Sequence, residues 1–285
     1  MAKQEEHMVS MSLGDHLEEL RTRLILAICG VFLGLVICMF FGKYLIGVLL
    51  IPYDNAMEEI TQTQIEKAAK EGTFADPNEA VANINYSLNL TSVHPAEGFM
   101  VFIKTSLIFG LLLTSPWVFW QIWAFVASGL YKREKKFAYA VAPASAVLFI
   151  SGSIFFITAI APLTMKFFVT FNQYLGFASQ FRPQDYINMI LALTLIFGVA
   201  FQMPIVVVFA ERMGLVTIEM LTKNRKFVIL GLVVLSAMVT PPDLISQVGL
   251  AGPLYLLYEI SIIACRVIRK RKEQQAAIEE YEDDD

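Results

Sequence analysis

The sequence predicts an all-α, polytopic membrane protein of six transmembrane helices, and three observations carry that reading. Of 285 residues, 56% are hydrophobic and 17% charged, with a mean hydropathy of +0.58; soluble domains average roughly a quarter charged. The charges are also gathered, leaving four runs of 18 to 29 residues without Asp, Glu, Lys or Arg. About 20 such residues cross a ~30 Å hydrocarbon core. Lysines and arginines, finally, crowd alternate connections. This composition excludes a disordered chain, a basic nucleic-acid binder and a soluble enzyme of ordinary make-up.

The elements follow in order, with spans at about 24–50, 99–127, 137–165, 186–212, 226–242 and 244–266. Leu24 to Phe41 carries no charge, and Lys43 is the only one before Pro52. Leu13, Leu17, Leu20 and Leu24 form one helical stripe, so the first helix should begin amphipathically before the membrane. An enlarged outer loop, 54–98, follows. Within it Ala56 to Glu71 reads as a polar helix with a Glu66/Lys70 pair. Ile84, Tyr86, Leu88 and Leu90 then alternate with polar residues at a strand period. Asn85-Tyr86-Ser87 and Asn89-Leu90-Thr91 match glycosylation sequons by chance.

Thr105 to Tyr131, Phe137 to Met165 and Tyr186 to Ala210 supply the next three spans. Two shorter runs, Phe227 to Pro242 and Leu244 to Tyr258, are parted by Asp243 after Thr240-Pro241-Pro242, a turn signal. Pro116, Pro143, Pro162, Pro204 and Pro253 interrupt spans and favour kinks. Kinked helices with two short C-terminal spans imply a concave body. Trp117, Trp120 and Trp123 read as an interfacial aromatic belt.

Sixteen of the 22 basic residues fall on one side when both termini are cytoplasmic, which the positive-inside rule favours. Residues 1–268 are thus expected to form one six-helix membrane domain. The segment 269–285 is expected to be a charged, disordered cytoplasmic tail. It holds all seven acids from Glu273 onward; without them 22 bases face 19 acids, a balance of +3. The N-terminus lacks the basic n-region and cleavage site of a removable signal peptide.

Chemistry-bearing motifs are missing. The sequence has no zinc-protease, nucleophile-elbow or phosphate-loop pattern, and no histidine lies in a span. Cys29, Cys38 and Cys265 have no metal spacing, and no cofactor is implied. A pump should place ionisable groups in mid-membrane, yet Asp243 sits at a turn and Glu259 near the inner end of the last span. Two inner-face segments stand out instead. One runs from Leu13 through Glu18, Glu19, Arg21 and Arg23, where the acids could simply pair with the arginines. The other is Ala124 to Phe137, in which Glu134 is a lone acid among four bases, a setting that keeps it ionised.

Taken together, these segments resemble TatC, the multispanning receptor subunit of the twin-arginine protein translocase. The matching stretches are His16-Leu-Glu-Glu-Leu-Arg-Thr-Arg-Leu, Ser115-Pro116 leading to Gln121-Ile-Trp-Ala-Phe125, and Leu130-Tyr-Lys-Arg-Glu134. Phe197-Gly-Val-Ala-Phe-Gln-Met-Pro204, Thr240-Pro-Pro-Asp243 with Ser246-Gln247, and Leu257-Tyr-Glu259-Ile follow in order. The resemblance implies a receptor in the bacterial cytoplasmic (inner) membrane that binds signal peptides of folded export substrates and nucleates the export complex. It implies that Glu19 and Glu134 meet the signal's arginine pair, with Phe125 and Arg21 beside them. Bidentate guanidinium–carboxylate pairing suits that task, where Lys cannot substitute. It further implies single-span TatA/TatB-type partners docking at the fifth span near Thr240 and Gln247, with Gln202 as a further partner contact. Other copies of the chain in a hetero-oligomer are also implied, and Pro52 and Asp243 match outer-face structural positions. The chain departs from the family in its long outer loop, in Ser128-Gly129 where Pro-Ala is common, and in Gln202 where many members carry glutamate.

The competing reading is a small-solute secondary transporter. It needs a midplane site, usually built from broken helices and internal repeats, and the two halves show no convincing repeat. An intramembrane hydrolase would need a nucleophile or metal set that the spans lack.

Overall fold

The computed structural model describes residues 13–71, 94–130, 132–176, 182–239 and 244–283, and every element among them is helical. In order these are α1 (Leu13–Phe40), α2 (Gly42–Glu71), α3 (Glu97–Ser128) and α4 (Lys132–Phe155). A π-turn (Phe156–Ile160) leads into α5 (Ala161–Tyr174). Then come α6 (Pro183–Ala200), α7 (Met203–Arg212), α8 (Ile218–Lys223), α9 (Arg225–Val239) and α10 (Leu244–Asp283). The strand-like stretch 84–91 with its sequons, the Glu66/Lys70 side chains and the 240–243 turn lie outside the described residues.

Among the described residues five stretches are long and apolar enough to cross a membrane: Gly14–Phe40, Glu97–Ser128, Phe137–Tyr174, Pro183–Arg212 and Leu244–Lys270. The run expected to span 226–242 is α9, whose 15 residues reach only about 22 Å at 1.5 Å per residue. Exposed apolar side chains, among them Leu24, Ile28, Phe32 and Leu33, run along α1, as a lipid-facing helix requires.

Three helix boundaries differ from the sequence reading. The first span breaks at Phe41, whose N–H turns back to the Cys38 carbonyl (3.1 Å). Gly42 follows because Phe102 crosses there: a Cβ on Gly42 would sit 2.2 Å from the Phe102 ring. Restarted, the helix runs unbroken through buried Pro52 to Glu71 and absorbs the polar helix expected at 56–71. The fourth run breaks at Phe201-Gln202, two residues before Pro204, which cannot donate a helix hydrogen bond. At the other end α10 continues to Asp283, beyond residue 268; the Lys, Arg, Glu, Gln and Ala of that stretch are good helix formers.

The chain divides into two compact units. In the first, residues 1–50, 91–150 and 182–191, α1 and α3 meet backbone to backbone. A Cβ on Gly34 would lie 2.5 Å from the Gly110 carbonyl oxygen, and one on Gly110 2.6 Å from the Leu35 nitrogen. Trp117 donates its indole N–H to the Leu26 carbonyl (2.9 Å), and Trp123 donates to Ser145 Oγ (2.8 Å) inside the core. Trp123 is therefore buried, and the expected aromatic belt shrinks to Trp117 and Trp120. Tyr186 of α6 ties to the Leu49 carbonyl at 2.7 Å.

In the second unit, residues 51–90, 151–181 and 192–285, Gly152 admits the Phe197 carbonyl, 2.7 Å from where its Cβ would be. Ser153 Oγ donates to the Thr194 carbonyl (3.1 Å). Phe156 and Phe197 pack with ring centroids 4.9 Å apart. Buried Thr164 and Ser246 share a hydrogen bond of 2.8 Å, joining α5 to α10. Ile218, Tyr258, Ile262 and Cys265 form a further core, where the Tyr258 hydroxyl donates to the Leu221 carbonyl (2.8 Å).

Candidate functional site

The N-terminal turns of α1 pack on the C-terminal turns of α3. His16 stacks on Phe125, with ring centroids 4.6 Å apart and an interplanar angle of 27°. Ser128 Oγ donates to the Phe125 carbonyl (2.7 Å) and approaches His16 Nδ1 (3.5 Å). Gly129 borders that ring, and a Cβ there would stand in ordinary contact with it, 3.6 Å from His16 Cε1. One turn further along α1, Arg23 Nε donates to Glu19 Oε1 at 2.7 Å. Arg23 reaches across to α3 as well, donating from its other end to Gln121 Oε1 at 3.1 Å. Gln121 is buried, whereas Glu19 and Arg23 keep 29% and 30% of their side chains exposed.

Helix periodicity explains the grouping. His16, Glu19 and Arg23 recur at i, i+3 and i+7, one face of α1, and Gln121, Phe125 and Ser128 recur at i, i+4 and i+7, one face of α3. Arg21 lies two residues from Glu19, about 200° round the helix, and is exposed. The structure thus puts Glu19 on the α1 face that packs on the α3 turns carrying Phe125, and leaves Arg21 on the other face. The Glu134 side chain lies outside the described residues, although its backbone belongs to α4. The corner presents a partly buried carboxylate one helical turn from an aromatic stack, with a guanidinium fixing the carboxylate's orientation. Such a group can accept charge-assisted hydrogen bonds from an incoming cation.

The residues assigned to partner docking are spread out. Gln202 precedes α7, with its carbonyl accepting from the N–H groups of Ile205 (3.0 Å) and Val206 (3.1 Å). Gln247 donates from Nε2 to the Val233 carbonyl of α9 (3.3 Å). Thr240 and Asp243 lie outside the described residues, and Pro52 is buried within α2.

Sequence reasoning missed three arrangements. Arg23 and Gln121 stood inside recognisable motifs, but their contact links positions 98 residues apart. Glu97, counted with the outer loop, is 1% exposed and accepts from Arg182 Nε (3.2 Å) and Nη2. That bond with Glu97 raises the Arg182 pKa above its usual range. Arg225 donates to Glu259 (2.8 Å), which also accepts from the Tyr255 hydroxyl (3.1 Å). Only the i, i+4 spacing of Glu19 and Arg23 was a usable signal beforehand. Among the described residues no His, Cys, Asp and Glu group could hold a metal.

A helical membrane protein with polar groups at helix ends is what the fold and these sites define. The family model described as Sec-independent protein translocase protein (TatC) matches residues 15–253, and the chain belongs to that family. It is 35% identical over 277 residues to the TatC of Desulforapulum autotrophicum, covering 92% of this chain and 88% of that protein. It is 31% identical to TatCy of Bacillus subtilis (94% and 93% covered) and 33% identical to TatC of Aquifex aeolicus (94% and 100%). The crystal structure of the twin-arginine translocase receptor TatC matches with a TM-score of 0.67 at 31% identity, over 88% of this chain and 98% of that one. The family consists of translocase components and not enzymes, and its spanning helices make this chain a bacterial inner-membrane protein.

Proposed function

We propose that this chain is the receptor of a twin-arginine translocase and that the α1–α3 corner receives the signal peptide's arginine pair. The observation that carries the reading is the grouping of Glu19 and Phe125 on one corner, held by the His16 stack and the Arg23–Gln121 link. Glu134, on the next helix in sequence, supplies the second carboxylate. An exposed ion pair contributes only about 0–1 kcal/mol. Discrimination of Arg from Lys therefore needs bidentate contact with carboxylates already partly withdrawn from water, as Glu19 is.

The same reading takes both termini as cytoplasmic and counts α9 as a sixth, short span. Its apolar side chains Phe227, Leu230, Val234 and Met238 are exposed, and they offer a single-span TatA/TatB-type subunit a docking edge near Gln247 and Thr240. Interhelical hydrogen bonds there would add about 0.6–2 kcal/mol each. Titrating the purified protein with labelled twin-arginine and twin-lysine signal peptides tests the receptor reading. Preferential binding of the arginine peptide is expected; equal binding of both would contradict it.

A further inference from the structure

One charged groove is not used by the receptor reading. Short helix α8 lies beside α10, and together they flank an open groove of about 520 Å³ lined by Ile218, Glu219, Thr222, Arg266, Arg269 and Lys270. Three cations face one acid. Arg269 donates to Glu219 at 3.3 Å, whereas Arg266 and Lys270 form no ion pair with any described acid, and both are exposed. Glu219's own backbone N–H, the Thr217 hydroxyl and Arg269 hold its carboxyl below the usual range. It therefore stays ionised at neutral pH and leaves the groove with an excess of two positive charges.

Leu256, Ile260, Ile263 and Val267 are all exposed, at 63%, 54%, 57% and 46%. Their spacing of i, i+4, i+7 and i+11 makes one stripe along α10. At 100° per residue Lys270 falls about 50° from the middle of that stripe, Arg266 about 90° and Arg269 about 150°. The Lys270 edge of the cationic site thus adjoins an apolar track at the end of a membrane-spanning helix, and basic pockets at such ends suit phospholipid head groups.

We propose that this groove holds the phosphodiester of an anionic membrane phospholipid whose acyl chain lies along the Leu256–Val267 stripe. Free phosphate would use the cations but gain nothing from the stripe. An acidic peptide would likewise leave the stripe uncovered. The adjoining cavity of about 440 Å³ is a weaker candidate, because Glu211 and Glu219 there offset Arg212 and Arg269.

The test is native mass spectrometry of the full chain in detergent, titrated separately with phosphatidylglycerol, phosphatidylcholine and inorganic phosphate. Phosphatidylglycerol should be retained in preference to the other two. The R266Q/K270Q double variant should weaken its retention roughly 25-fold, about 5-fold per cation near an anionic surface. Glu219→Gln should tighten it several-fold, a gain that misfolding could not produce. Equal retention of both lipids, phosphate binding as tight as the lipid, or unchanged lipid retention in both variants would overturn the proposal. Neither variant touches the α1–α3 corner, so signal-peptide binding reports on the receptor reading separately.

Discussion

His16 and Phe125, 109 positions apart in sequence, lie ring on ring with centroids 4.6 Å apart. That stack fixes how the first turns of α1 meet the last turns of α3, and Glu19 lies one helical turn from it on the same face of α1. An aromatic pair contributes about 0.5–1.5 kcal/mol beyond the area it buries. His16→Ala should therefore lower signal-peptide affinity by roughly 2- to 10-fold with the protein still folded, because it loosens the corner without removing a carboxylate. Peptide titration alongside a thermal melt checks this; unchanged affinity would mean that the stack does not position the site.

The link from Arg23 to Gln121 leads to a second expectation. Gln121→Ala removes the α3 end of the link but leaves the Glu19–Arg23 pair, so Arg23 should become more mobile. Peptide affinity should fall less than with Glu19→Ala. A loss equal to that of Glu19→Ala would show that Gln121 contacts the peptide itself.

Glu97 and Arg182 give a prediction about stability. Glu97 is buried and Arg182 is its ion-pair partner, so Arg182→Ala strands a carboxylate away from water. Removing one partner of a buried pair costs far more than replacing both. Arg182→Ala should lower the unfolding midpoint in detergent, and adding Glu97→Gln should restore most of it. Equal midpoints for the single and double variants would contradict this account.

Gly34 and Gly110 allow α1 and α3 to touch through their backbones. Gly110→Ala drives a methyl to 2.6 Å from the Leu35 nitrogen, and backbone cannot swing aside as a side chain can. Overpacking of this kind typically costs about 1–3 kcal/mol. Gly47, where an added Cβ would meet nothing within 4 Å, serves as the control: Gly47→Ala should leave the melting curve in place. Equal effects of the two substitutions would exclude close packing as the cause.

Gln202 stands where α6 gives way to α7, ahead of Pro204. If it receives a polar residue from a partner helix, Gln202→Glu should be tolerated, since the acid keeps an acceptor at the same place. Gln202→Leu should weaken export of a twin-arginine reporter at unchanged protein level. Full export with Leu would remove Gln202 from the partner interface, and loss of the protein itself would assign it to supporting the helix break.

Much of this was legible because charge and polarity vary along a membrane chain in blocks as long as the elements they mark. The runs from Thr105, Phe137 and Tyr186 fall on α3, on α4 with α5, and on α6 with α7. The break at Phe41 was not legible, because it depends on Phe102 crossing at Gly42, a contact between distant residues. The same holds for the π-turn at Phe156–Ile160, of which only Pro162 gave a hint. Glu19 and Phe125 were found through motif resemblance. The pairing of His16 with Phe125 and of Arg23 with Gln121 was hidden, because the periodicity of one helix does not say which face of another it meets. Glu97 misled for another reason: an acid at a loop edge reads as solvated until Arg182, 85 residues later, is seen to cover it.

The most direct test of the receptor reading is site-directed photocrosslinking from positions beside Glu19 and Glu134 to a twin-arginine signal peptide. Crosslinks should form with the unaltered carboxylates and disappear with either Glu19→Ala or Glu134→Ala, while membrane insertion stays intact. Unchanged crosslinking in both single variants would contradict the account.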